Sequence, residues 1–97
     1  MSYYMSLGQD DFNYTYNVSK MWYACYPDNG IREIYGKTGR AAAPILFKLV
    51  EYMQDNKEKL LEFEPKNGGG SFYGAYEFVL KLLDSSLRQP DEIWEGD

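Results

Sequence analysis

Three consecutive glycines, Gly68-Gly69-Gly70, separate Pro65-Lys66-Asn67 from Ser71-Phe72. Each ordered glycine loses more backbone entropy than any other residue, so an ordered run implies a positive φ or a close approach of two backbones. Before the run the sequence is helical and heavily charged; after it comes the most periodic segment of the chain. Ser71 supplies an N-cap, and Phe72, Tyr76, Val79, Leu80, Leu83 and Leu87 share one face of a helix over 72–88, which Gln89-Pro90 ends. Glu77 and Lys81 add an outward i,i+4 pair in the favourable order. The glycines read first as a hinge that sets this helix against an earlier one. A second reading takes the N–H groups of Gly69, Gly70, Ser71 and Phe72 as a cradle for a carboxylate or phosphate at a helix N-terminus.

The earlier helix spans about 39–54, with Thr38 as its cap and Ala41, Ala42 and Ala43 favouring it. Pro44 is tolerable only in a first turn, which puts the regular part at 41–54. Ile45, Leu49, Tyr52 and Met53 form one stripe, widened by Leu46, Phe47 and Val50, so this helix belongs to the core. Short helices are expected at 18–25, capped by Asn17 and presenting Val18, Met21, Trp22 and Cys25, and at 57–63. Between them, 31–35 reads as a helical turn leading to Gly36. At the start, strict alternation of Phe12, Tyr14 and Tyr16 with Asp11, Asn13 and Thr15 marks a half-buried strand. With 2–7 and the turn residues Gly8-Gln9-Asp10 it makes a β-hairpin. Two strands alone are marginal, and the segment Glu92–Glu95 is the candidate third. The expectation is one α+β domain over 1–97: four helices, the two longer ones forming the core, and a small antiparallel sheet.

The residue inventory excludes much chemistry. The 97 residues include no histidine, which removes the usual general base, histidine triads and histidine metal sites. The lone Cys25 lies on an apolar helical face and reads as a structural thiol; one cysteine allows no internal disulfide and fits a reducing compartment. Asp10-Asp11 and Asp91-Glu92 are adjacent acids that point to opposite faces of a strand and lack calcium-loop spacing, so no metal site is expected. Gly36-Lys37-Thr38 resembles the end of a phosphate-binding loop, but the required first glycine is Ile31. No cofactor is implied. No apolar run approaches the ~18 residues of a membrane span, and no secretory leader is recognisable, so a cytoplasmic location is expected.

Net charge is −5, against direct binding to nucleic acid or an anionic membrane. It is unevenly spread. Residues 31–60 carry six basic groups and four acidic ones, whereas 61–97 carry three basic and eight acidic. Ten tyrosines suit either half-buried core positions or a binding face, and such aromatic content is compatible with a homodimer.

Asn17-Val18-x-x-Met21, Gly36-Lys37-Thr38 with Ala42-Ala43-Pro44-x-Leu46, and Pro65-x-Asn67-Gly68-x-Gly70-x-Phe72, continuing through Gly74-Ala75-x-Glu77-Phe78, resemble a family of small uncharacterised proteins encoded by phages and prophages. The likeness covers roughly 14–95. In that family a tryptophan usually stands between the two loop glycines, where this chain has Gly69. The resemblance implies a mobile-element origin and a small accessory role, and carries no catalytic residues. Together with the acidic charge it gives the expectation of a non-enzymatic inhibitor of a host nucleic-acid-handling defence complex, anti-CRISPR or otherwise anti-defence, acting by steric and electrostatic blocking. The partner would be a host protein that holds phosphates. Asp84, Asp91, Glu92 and Glu95 are the expected charges, with Trp94 or an exposed tyrosine as apolar anchor. The alternative is a binder of small anionic ligands such as a nucleotide or phosphate, using Arg32, Lys37 and Arg40 with Asn67, Gly69, Gly70 and Ser71.

Overall fold

The computed structural model describes residues 1–97 and is α+β, with a three-stranded antiparallel sheet and two long helices forming the core. Strands β1 (Ser2–Leu7) and β2 (Asp10–Thr15) pair in register from Ser2 opposite Thr15 to Leu7 opposite Asp10. The two-residue turn is Gly8-Gln9, with positive φ at Gly8 alone, the sign pattern of a type II′ hairpin. Helices α1 (Ser19–Tyr23), α2 (Gly39–Asp55), α3 (Lys57–Leu61) and α4 (Phe72–Arg88) follow. The chain ends in the two-residue β3 (Glu95–Gly96), giving sheet order β2-β1-β3. No helix is long and apolar enough to cross a membrane.

The alternation anticipated for β2 holds, with Phe12 and Tyr14 turned inward and Asp11 and Asn13 outward, but the more deeply buried strand is central β1, through Tyr3, Met5 and Leu7. Aromatic rings join this inner face to the helices. Phe78 of α4 lies 5.5 Å from Tyr14, 5.7 Å from Trp22 and 6.5 Å from Phe12, centroid to centroid. Such contacts add to simple area burial at the sheet–helix seam.

Several boundaries differ from expectation for identifiable reasons. A 3-10 turn at Tyr16–Val18 precedes α1 and is capped by Thr15, whose hydroxyl accepts from the Asn17 N–H at 3.1 Å; α1 itself has Val18 at its N-cap and no side-chain cap. Asn17 is thereby freed to donate its amide to the Gly69 carbonyl, 52 residues away. Helix α2 begins at Gly39, at the start of its full expected span, and is regular from there rather than from 41, so Pro44 sits inside it. The early start is possible because distant carbonyls take the first N–H groups: Gly39 donates to Glu92 at 2.8 Å and Arg40 to Pro90 at 3.0 Å, while Thr38 caps Ala41. Helix α3 ends at Leu61 rather than 63. The third strand is also later than expected: Ser6 pairs with Glu95 and Met5 with Gly96, whereas Ile93 bridges Thr38.

Helix α4 has the expected bounds, and its inner face matches the expected one only in part: Phe72 and Val79 are buried and Tyr76 and Leu83 pack against the core. It buries Phe72, Ala75, Phe78, Val79, Leu82, Ser85 and Ser86, and leaves Leu80 and Leu87 in solvent. The two serines are inside because each has a dedicated partner. Ser86 accepts from the Trp94 indole at 2.9 Å, and Ser85 donates to Asp10 at 2.7 Å. Asp10 Oδ2 also accepts from Arg88 at 2.9 Å and from Gln89 at 3.0 Å, clasping the hairpin to the end of α4. Helices α2 and α4 run antiparallel, and at Gly39 a Cβ would collide with the carbonyls of Ser86 and Gln89.

The glycine run does serve as a connector between α3 and α4, with positive φ at Gly68 (78°) and Gly70 (129°). A side chain at Gly70 would also press on Thr15 and Val18 at about 3 Å. Gly70→Val should therefore lower the unfolding free energy by about 1–3 kcal/mol, measured by urea denaturation.

The clasp has a pH signature. Asp10 is held below its ordinary value first by the Ser85 hydroxyl and then by the Arg88 guanidinium. A carboxyl depressed in the folded state contributes stability that is present above its unfolded value, near ~3.9, and is lost as pH falls through the folded value. Wild type should exceed Asp10→Asn in stability at neutral pH, and the gap should close below about pH 4 in denaturant titrations at stepped pH.

Candidate functional site

Strand alternation that buries Tyr3, Met5 and Leu7 must turn Tyr4 and Ser6 to the other side of the sheet. Across the ladder, Tyr4 stands opposite Asn13, and Ser6 stands between Asp11 and Glu95. The pairing continues one residue past β3: Asp97 donates its N–H to the Tyr4 carbonyl and accepts from the Tyr4 N–H on Oδ1, both at 3.2 Å. The outer face is thus two rows, Asn13–Tyr4–Asp97 and Asp11–Ser6–Glu95. It forms a shallow cleft of about 490 Å³ in which three carboxylates surround an exposed tyrosine and no basic side chain contributes. Tyr4 is 61% exposed, a large aromatic presented to solvent among acids. Neighbouring strands lie about 4.8 Å apart, so Asp11 and Glu95 stand on either side of the central strand, within reach of one incoming guanidinium or ammonium group.

The floor depends on a glycine. Gly96 sits against the Tyr35 ring, where any side chain would overlap it, so a glycine here lets β3 lie beside β1. Without that pairing neither Glu95 nor Asp97 would join the face.

The five partner-contacting residues expected from sequence do not gather. Glu95 lies in the cleft, and Glu92 is exposed near the Gly8 turn. Asp91 pairs with Arg40 at 3.3 Å, and Asp84 shares Arg88 with Asp10, both at 2.9 Å, so each of the two has a cation of its own chain beside it. Trp94, expected as an exposed anchor, is instead a core residue at 1% exposure. Tyr4, Asp11 and Asp97 had no local signal marking them as one site. Only the register of β1 between the hairpin and the chain's last residues unites them.

The alternative anion site also does not assemble. Gly69 N–H donates to Asn67 Oδ1 at 2.9 Å and Ser71 N–H to the Tyr14 hydroxyl at 3.3 Å. Phe72 N–H donates to the Glu64 carboxylate at 2.7 Å, so the α4 N-terminus already holds an anion from its own chain. A side chain at Gly70 would meet Thr15 and Val18, so this glycine is packed against the first half of the chain, while Gly68 faces open space. Of the basic set, Arg40 pairs with Asp91 and Lys37 is exposed. Arg32 lies over the Tyr3 and Tyr16 rings at 4.8 and 5.3 Å and donates to the Tyr16 hydroxyl. That arginine serves the half-buried tyrosine cluster, as a cation–π contact.

Cys25 is half-buried, and burial pushes its thiol up, with Lys48 opposing more weakly, which disfavours the reactive thiolate. No cluster of three or more acidic, cysteine or histidine side chains is arranged to hold a metal ion. No protein-family model matches the chain, and no curated protein or solved structure shows significant similarity to it.

Proposed function

We propose that this chain is a non-enzymatic binding protein whose outer sheet face docks on a basic, phosphate-holding surface of a protein partner. The observation that carries this is the cation-free cleft in which Asp11, Glu95 and Asp97 surround exposed Tyr4. Arginine or lysine side chains that ordinarily grip nucleic-acid phosphates would find carboxylates at suitable spacing, and the tyrosine ring supplies stacking for one guanidinium. Tyrosine is also a common hot-spot residue, combining area with little conformational entropy. The net charge of −5 favours rapid association with a basic groove. Together with the resemblance to phage-encoded accessory proteins, this supports inhibition of a host nucleic-acid-handling defence complex by occupying its nucleic-acid path. The single cysteine is in keeping with action in the host cytoplasm.

The test is displacement of fluorescent DNA from a panel of guide-loaded nuclease effectors, followed by polarisation at stepped salt. The expected inhibitor lowers DNA binding to at least one effector, less so as salt rises, and Tyr4→Ala or Asp11→Asn with Glu95→Gln weakens it by about tenfold or more. No displacement from any effector, or displacement indifferent to salt and to these substitutions, would refute the reading.

A further inference from the structure

The strongest leucine stripe of the sequence is left on the surface. At 100° per residue, Leu83 and Leu87 lie about 140° and 180° around α4 from Phe78, the residue that meets the sheet. They therefore belong to the side of the helix layer that the sheet does not cover. There they meet Pro44 and Phe47 of α2 along an open groove of about 490 Å³. Phe47 is 55% and Leu87 64% exposed. A two-layer α/β unit normally turns polar side chains outward at this position, so a contiguous apolar strip between two long helices marks a docking surface.

The charges on this groove identify the occupant. Its lining includes one cation and one anion, Lys48 and Glu51, three residues apart on α2. Neither is used in an ion pair within the chain: the three pairs are Arg40–Asp91, Arg88–Asp10 and Arg88–Asp84. The Lys48 ammonium lies over the Tyr26 ring, at 5.3 Å. A neutral surface carrying one charge of each sign outside any ion pair can complement itself under a two-fold rotation that sets Lys48 of each copy against Glu51 of the other. A chain of net charge −5 resists self-association most where acids dominate, and the balanced lining of this groove adds no local repulsion of its own.

We propose that the α2–α4 groove is the interface of a two-fold homodimer, with Phe47 and Leu87 as its apolar anchors and reciprocal Lys48–Glu51 contacts setting its register. The two helix pairs would form a four-helix layer with one sheet on each outer side. The proposal is independent of what the sheet face binds.

Sedimentation equilibrium of the purified chain tests it, with circular dichroism confirming that each variant is folded. Wild type is expected to be a concentration-dependent dimer, and Phe47→Asp or Leu87→Asp to raise its dissociation constant on the order of a hundredfold or more. Lys48→Glu alone and Glu51→Lys alone should each weaken the dimer about tenfold, because each places like charges together twice. Mixing these two single variants should restore a heterodimer, since both cross-interface contacts then join opposite charges again. A wild-type monomer at all concentrations, a dimer unaffected by Phe47→Asp and Leu87→Asp, or charge variants that fail to rescue each other would overturn the proposal.

Discussion

The segment from Pro90 to Trp94 does more to organise this chain than any helix. Its carbonyls at Pro90 and Glu92 receive the first two N–H groups of α2, and the Trp94 backbone exchanges bonds with Gly36 and Lys37. The indole then fills the core against Phe12, 5.8 Å away, and donates to Ser86. A buried indole N–H left unpaired would cost about 1–3 kcal/mol, and the Ser86 hydroxyl removes that cost at Trp94. Through this one stretch, the start of α2, the end of α4 and the sheet are tied together. β3 exists because the next two residues are delivered beside β1.

That dependence explains which features could be read locally. The bounds of α4 follow from Ser71 before it and Gln89-Pro90 after it, signals that act within a turn. Its inner face follows only in part, because Leu80 and Leu87 are individually better core residues than Ser85 and Ser86. What reverses the order is a pair of hydrogen bonds to Asp10 and Trp94, the first spanning 75 residues. Helix propensity and hydrophobic periodicity carry no information about partners at that separation. The glycine run shows the complementary case: positive φ at Gly68 and Gly70 is a local demand that only glycine meets easily, so a connector was legible there.

Charge was harder still to place. Counting acids by segment pointed to the last third of the chain, yet Asp91 sits beside Arg40 and Asp84 shares Arg88 with Asp10, so neither joins a common acidic face. Asp11, from the opposite end of the sequence, is brought instead beside Glu95 by the register of a central strand. An acidic surface is made by topology, because screening in salt confines each charge's influence to about 10 Å. Neighbours in space within that distance decide the potential, whatever their distance along the chain.

The two exposed surfaces of this small domain are opposed in both position and chemistry. The sheet presents acids around a tyrosine; the helix layer presents apolar side chains with balanced charge. Joining two copies by their helix faces would leave the acidic faces on opposite outer sides of the assembly. Such an arrangement cannot place both acidic faces on one flat partner surface, so it gives no gain in effective concentration on a single site. It would instead bridge two partner molecules or two distant sites of one large complex. Binding stoichiometry would then follow the oligomeric state of the helix face, while affinity per site would stay with the sheet.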